Sequence, residues 1–138
     1  MIRKTLFLTA ALAFTLPLAC DGDDDSDTDT GAGTGADGIP AEYAGATNPV
    51  EGDSAAIAAG MSTYMTACAT CHGDTGAGDG PASMSDPPPT DFTTVTGQAD
   101  DYMLWKISDG VAGTTMAGYS GSLSEDQIWE VTAFIRTL

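Results

Sequence analysis

Cys68-Ala69-Thr70-Cys71-His72 is the stretch that decides how this chain folds. Two thiols three residues apart, with a histidine directly after the second, form the c-type haem attachment pattern. The spacing follows from the chemistry. The cysteines add to the two vinyl groups of the macrocycle as thioethers, and the histidine, next in the chain, comes up beneath the ring to ligate the iron. Other readings of the motif lack partners. A structural zinc site needs four ligands, whereas His72 is the sole histidine and Cys20 the sole remaining cysteine. A thioredoxin-like redox pair belongs in a βαβ setting, and no strand-rich segment leads into Cys68.

Upstream of the motif the chain changes character twice. Arg3 and Lys4 precede an apolar run, Thr5 to Leu18, that is short for a membrane span. Small residues then lead into Cys20, so residues 1–20 read as an export signal. The ending Leu16-Pro17-Leu18-Ala19-Cys20 resembles a bacterial lipoprotein cleavage box, with Pro17 where an aliphatic residue is usual. The expectation is a lipid anchor on Cys20 at the periplasmic side of a bacterial membrane, with several acyl chains giving stable attachment. Ordinary signal cleavage is the alternative. Residues 21–52 open with alternating aspartates, Asp21 to Asp29, and turn rich in Gly, Ala and Thr. Such a segment buries too little apolar surface to offset its ordering entropy, and it reads as a disordered tether. The aspartates do not complete a calcium loop: Thr30 stands where its glycine is required, and no glutamate follows at the right place. The stretch from Ile39 to Val50 is less polar and suits an extended arm along the surface of a domain.

The formal charge is −16, and the basic residues are Arg3, Lys4, Lys106 and Arg136. Loss of residues 1–20 removes two of these and no acid, taking −16 to −18. So acidic a chain is unsuited to nucleic acid or to electrostatic docking on anionic lipid. Long-range attraction would have to come from a basic partner surface.

The domain proper is expected over residues 53–138. A first helix fits Ser54 to Ala67 behind an Asp53 N-cap, with Ile57, Gly60, Met61, Tyr64 and Cys68 at helical spacing on one face. Glycines and Pro87-Pro88-Pro89 mark Gly73 to Gly97 as loop. A second helix fits Gln98 to Asp109, closed by Gly110. A second loop holds Gly113 to Ser122, and a last helix starts at the capping box of Ser124 and Gln127 and runs to the end. Ile128, Val131, Ile135 and Leu138 form its apolar stripe, flanked by Phe134. No segment alternates as a strand, so the domain is all-α: three main helices and two long loops. Its core is thin for its length, and a covalently held macrocycle would supply the missing interior. The apoprotein is expected to fold poorly.

With these residues assembled, the chain from Asp53 to Leu138 resembles a class I monohaem cytochrome c. Gly60 and Tyr64, eight and four positions before Cys68, match the family's glycine and aromatic at the crossing of first and last helices, with Val131 and Phe134 as counterparts. Gly80-Pro81-Ala82 resembles the family's proline turn, whose carbonyl accepts the proton of the proximal imidazole; the resemblance gives that role to Pro81, against a plain stiff corner. The family's distal ligand is a methionine in the loop before the last helix. Of the six methionines, Met116 in Gly113-Thr114-Thr115-Met116-Ala117-Gly118-Tyr119 resembles that ligand, although the common Met-Pro is here Met116-Ala117. Tyr102, Trp105 and Trp129 suit either haem propionates or packing, and Lys106 and Arg136 either a propionate or a solvated face.

The resemblance implies one covalent haem c and a single-electron carrier between membrane or periplasmic redox partners, not an enzyme. Two further readings stand beside it: a gas-binding or gas-sensing haem module with a labile or absent sixth ligand, and a fixed haem subunit of a larger respiratory complex.

Overall fold

In the computed structural model, residues 38–138 are described. The signal segment, Cys20 and the alternating aspartates lie outside them. Four helices follow in order: α1 (Ser54–Ala67), α2 (Ala69–His72), α3 (Asp100–Asp109) and α4 (Glu125–Ile135). Among the described residues the only β pairing is an isolated antiparallel bridge between Gly110 and Ala117. The described residues are all-α, with three main helices, as expected, and with one addition. The attachment motif itself forms the short helix α2, in residues that the sequence reading left unassigned between the first helix and the loop from Gly73.

Helices α1 and α4 start where their capping chemistry predicts. The Asp53 carboxylate accepts from the backbone N–H of Ala55 and Ala56, at 2.7 and 3.2 Å. Ser124 and Gln127 form the reciprocal capping box of α4. Helix α3 begins at Asp100, two residues later than expected, and stops at Gly110, whose φ is +82°. Helix α4 ends at Ile135 and does not reach the terminus.

The first and last helices cross in contact, and α3 and α2 pack beside them. At the crossing, Gly60 is buried against the backbone of α4. A Cβ there would collide with the Glu130 carbonyl oxygen and lie 2.9 Å from the Val131 nitrogen. Tyr64 packs above it with its ring 5.2 Å from that of Phe134. The buried face of α1 is Ala56, Gly60 and Tyr64. Met61, expected on that face, is instead half exposed, because close approach at Gly60 turns the flanking side chain outward. Helix α4 is buried over nearly its whole circumference, from Ile128 to Ile135 with the exception of Glu130.

The arm expected from Ile39 to Val50 is present, built largely of turns and not of extended backbone. Residues 39–50 lie against the helices and belong to the folded body. Ile39 and Asn48 are buried. The Asn48 amide donates to the Trp129 carbonyl at 3.0 Å, its Oδ1 accepts from Val50, and its backbone N–H donates to Asp100 at 2.8 Å. The Gly45 N–H donates to Asp101, and the Tyr43 hydroxyl to Asp109 at 2.6 Å. Asp100 also pairs with Arg136. Burial pushes the Asp100 carboxyl up, but the Asn48 N–H and Arg136 outweigh it and hold the group below its ordinary range.

The crossing is the packing feature most sensitive to one substitution. Gly60→Val is expected to cost at least ~3 kcal/mol, the upper part of the range for overpacked cores, because the obstruction is backbone that cannot rotate away. Thermal unfolding of the holoprotein should shift down by roughly 12 °C or more; an unchanged midpoint would mean that the helices do not touch at residue 60.

Candidate haem-binding site

The motif is presented at the C-terminal end of α1. Cys68 is the C-cap of α1 and the N-cap of α2, its N–H donating to the Tyr64 carbonyl at 2.8 Å. One helical turn then carries Cys71 and His72, with His72 N–H donating back to Cys68 at 2.9 Å. The Tyr64 hydroxyl closes the far side, donating to the Gly73 carbonyl at 2.9 Å. Burial, with the nearby Cys68, Asp74 and Asp79 charges, pushes its phenol up to about 12, so it remains a donor through the neutral range.

Cys68, Cys71, His72 and Met116 line one cleft of about 360 Å³, together with residues of the proline-rich stretch and Tyr119. No charged side chain lines it, although the chain carries 20 acidic residues. Both cysteines are free thiols, half-buried. Burial, and next the Cys71 charge, push the Cys68 thiol up to about 11.

His72 is buried, and its ring is held from one segment. Nδ1 lies 3.1 Å from the Thr90 carbonyl oxygen. The Phe92 ring stacks on the imidazole, with centroids 4.7 Å apart and planes 20° from parallel. With Nδ1 as donor to Thr90, Nε2 is left free to bind a metal.

The carbonyl expected from Pro81 is therefore supplied by Thr90. The Gly80–Ala82 turn has another task. Gly80 N–H donates to the Cys71 carbonyl at 3.2 Å and Ala82 N–H to the Thr70 carbonyl at 2.8 Å, so the turn covers the backbone of α2, with Pro81 exposed. Gly80 is required there, since a Cβ would meet the Ala69 and Thr70 carbonyls.

Met116 is held through its backbone. Its N–H donates to the Thr114 hydroxyl at 3.1 Å, and its carbonyl accepts from Val111 N–H at 3.0 Å. The loop is bolted to the end of α3 by Tyr119 N–H to Ile107 and Ser120 N–H to Ser108. Gly110 and Gly118 permit that approach: added Cβ atoms would press on the Met116–Gly118 and Ser108–Asp109 backbones. The Tyr119 hydroxyl donates to the Ala67 carbonyl at 2.8 Å, tying the loop to the residue before Cys68. Burial raises this phenol too, followed by the Cys68 and Cys71 charges.

The other methionines stand elsewhere. Met103 is buried on α3 away from the cleft lining, Met61 and Met65 are exposed on α1, and Met84 is 98% exposed. Trp129 is buried and donates to Glu125, Lys106 lies over the Trp105 ring, 3.2 Å from its centroid, and Arg136 binds Asp100 and the Gln98 carbonyl. None of Tyr102, Trp105, Trp129, Lys106 or Arg136 lines the cleft. Sequence reasoning missed Thr90, Phe92 and Tyr119. For two of them a signal existed: Phe92 and Tyr119 are the sole aromatics of their respective loops.

The donor set suits haem c. Two adjacent free thiols, an imidazole with one nitrogen engaged and the other available, and an uncharged lining match a covalently held, largely apolar macrocycle.

Residues 55–135 match the family model described as cytochrome C oxidase, cbb3-type, subunit III. A chain of the reducing HAO-like protein complex of Kuenenia stuttgartiensis is similar at 30% identity and a TM-score of 0.54, over 61% of this chain and 44% of that one. Cytochrome CL from the marine methylotroph Methylophaga aminisulfidivorans is similar at 33% identity and a TM-score of 0.50, over 66% of this chain and 58% of that one. This chain thus matches less than two thirds of the length of either. Comparison with curated proteins finds no match.

Tyr119→Phe removes the tie between the Met116 loop and α1. The loss of one hydrogen bond is expected to cost ~1 kcal/mol. Hydrogen exchange should quicken at the Val111 amide, which bonds Met116, more than at the Phe92 amide, which bonds Gly76. Equal or no change at the two amides would show that the hydroxyl does not hold the loop.

Proposed function

Since the chain belongs to the family of cytochrome c oxidase, cbb3-type, subunit III, and is a class I cytochrome c with covalent haem c, we propose that it is a single-electron carrier with His72 and Met116 as axial ligands. Haem c, when bound, supplies an iron that exchanges one electron between the ferric and ferrous states. The observation that carries the reading is the meeting of Cys68, Cys71, His72 and Met116 in one uncharged cleft.

The chain's own residues divide the work. Cys68 and Cys71 fix the macrocycle to the turn that bears His72. The Thr90 carbonyl holds the His72 proton on Nδ1 and makes Nε2 the more basic donor. The Met116 thioether favours the ferrous state and raises the potential relative to a second histidine. If His72 and Met116 both held the iron, they would leave no position on it for a substrate, which is why the reading is a carrier and not an enzyme. The backbone bonds of the Met116 loop keep its sulfur in place in either oxidation state, so little rearranges when the charge changes.

The partners in this reading are redox proteins with basic docking surfaces, such as a quinol-oxidising complex, a terminal oxidase or a periplasmic dehydrogenase. Cys20 is the lipid anchor on the periplasmic side of a bacterial membrane, and the acidic stretch after it links anchor to domain, raising the effective concentration of the haem near membrane complexes. A second reading has support of its own. The matching family is described as an oxidase subunit, and a similar chain belongs to a protein complex, so a permanent place in a larger assembly is consistent with the same site. A partner that stays bound in fixed ratio after membrane solubilisation would select this reading over the mobile carrier.

Met116→Ala should lower the reduction potential by more than ~60 mV, a tenfold step for a one-electron couple. It should also abolish the sulfur-to-iron charge-transfer band of the ferric protein and open the ferrous protein to carbon monoxide. Ready binding of carbon monoxide by the wild type would favour the gas-binding module instead. Cys20→Ser should release the domain from membranes into the periplasmic fraction, and a wild type already soluble after cell disruption would remove the anchor.

A further inference from the structure

We propose that Phe92 is a positioning residue for His72, setting the plane of the imidazole and hence its orientation on the iron. The inference rests on the reading of His72 as the proximal ligand and goes beyond it. The Thr90 carbonyl meets His72 at a single atom, Nδ1, 3.1 Å away. The covalent bond at Cγ and the hydrogen bond at Nδ1 together hold one edge of the planar ring and leave its plane free to turn about that edge. A stacked face removes this freedom. The Phe92 ring, 4.7 Å from the imidazole and 20° from parallel with it, lies along the plane that the hydrogen bond leaves undetermined.

The Phe92 side chain is itself held in place. Phe92 N–H donates to the Gly76 carbonyl at 2.7 Å, and Gly76 N–H donates to Gly73, the residue after His72. A Cβ at Gly76 would stand 3.4 Å from that of Phe92 and 2.7 Å from Leu138 Cδ1, so Gly76 seats Phe92 at contact distance with Leu138 beside it. On the other side, Asp91 Oδ1 accepts from both the N–H and the hydroxyl of Thr93, at 2.9 and 2.6 Å, which closes the turn that follows Phe92. Pro87-Pro88-Pro89 stiffens the approach. The hydrogen-bond acceptor and the stacking ring thus come from residues 90 and 92 of one braced segment, and they move together or not at all. Partners of this kind orient a ligating histidine and tune the metal it binds.

The test uses the covalently loaded protein and reads ligand orientation, which a purely structural role of Phe92 would not move. In the ferric protein the order and spread of the four haem-methyl proton resonances depend on the plane of the axial imidazole. Phe92→Leu keeps an apolar side chain and removes the flat face; it should reorder the methyl resonances. Phe92→Tyr keeps the face and should retain the wild-type order. An unchanged order in Phe92→Leu overturns the proposal, even if that variant unfolds at a lower temperature. Should Phe92→Leu fail to accumulate as holoprotein, the wild type decides: through-space transfer between the Phe92 and His72 ring protons supports the role, and its absence overturns it. His72 ring protons without hyperfine shifts in the wild type would remove the ligand assignment itself, a result distinct from shifted His72 protons with an unmoved methyl pattern.

Discussion

The contact on which the rest of this structure depends is between two backbones, at Gly60 of α1 and Glu130–Val131 of α4. A side chain at residue 60 would push the helices apart by the thickness of a methyl group or more. Everything that builds the site is referred to this crossing. Tyr64 lies one turn further along α1, and Cys68 one turn beyond that, so the attachment cysteines sit at a fixed distance from the helix that contributes more to the core than any other. Helix α4 answers with Val131 and Phe134, both buried. The arm at residues 39–50 then fastens to the same pair of helices, through Asn48 to the Trp129 carbonyl and to Asp100.

The two loops that complete the site have little regular structure, yet they are not loosely held. Each is fixed by backbone hydrogen bonds and by one aromatic side chain. In the first loop Thr90 and Phe92 engage His72; in the second Tyr119 reaches Ala67, the residue before the motif, while Val111 and Thr114 hold the Met116 backbone. Glycines at 80, 110 and 118 make these approaches feasible, since each brings one backbone nearly onto another. For a cofactor that changes charge without changing place, such restraint in the loops that border the cleft is the relevant mechanical property. The acidic surface and the uncharged cleft divide the electrostatics in a similar way. Charge is kept on the outside, where it acts on partners over distance, and away from the interior, where it would be costly to bury.

Much of this was legible in the residues alone. The five-residue motif names its cofactor because few other chemistries use two thiols and a histidine at that spacing. Asp53, Ser124, Gln127 and Gly110 mark helix ends because capping is a local matter, decided within a few residues by unpaired backbone groups. The family resemblance set the helix crossing at Gly60 and Tyr64, and the absence of alternation foretold an all-α domain. The family resemblance pointed to Met116, and the structure sets it in the cleft lining with Cys68, Cys71 and His72.

What the sequence could not decide was which atom meets which across long separations. The spacing of Pro81 from His72 suited the proton acceptor, but the turn around Pro81 folds back on α2, and the chain returns to the imidazole only at Thr90. The composition of residues 21–52 suited a tether, but an average over composition does not weigh a single buried Asn48 with three hydrogen-bonding partners. Met61 was assigned to a buried face by period alone, whereas the close approach at Gly60 selects Ala56 and Tyr64 as its companions. Local chemistry fixes helix ends and the covalent motif, because their partners lie within a turn or two. The partners of His72, the seat of Phe92 and the docking of the arm belong to the tertiary structure, because each depends on where a distant stretch of chain comes to rest.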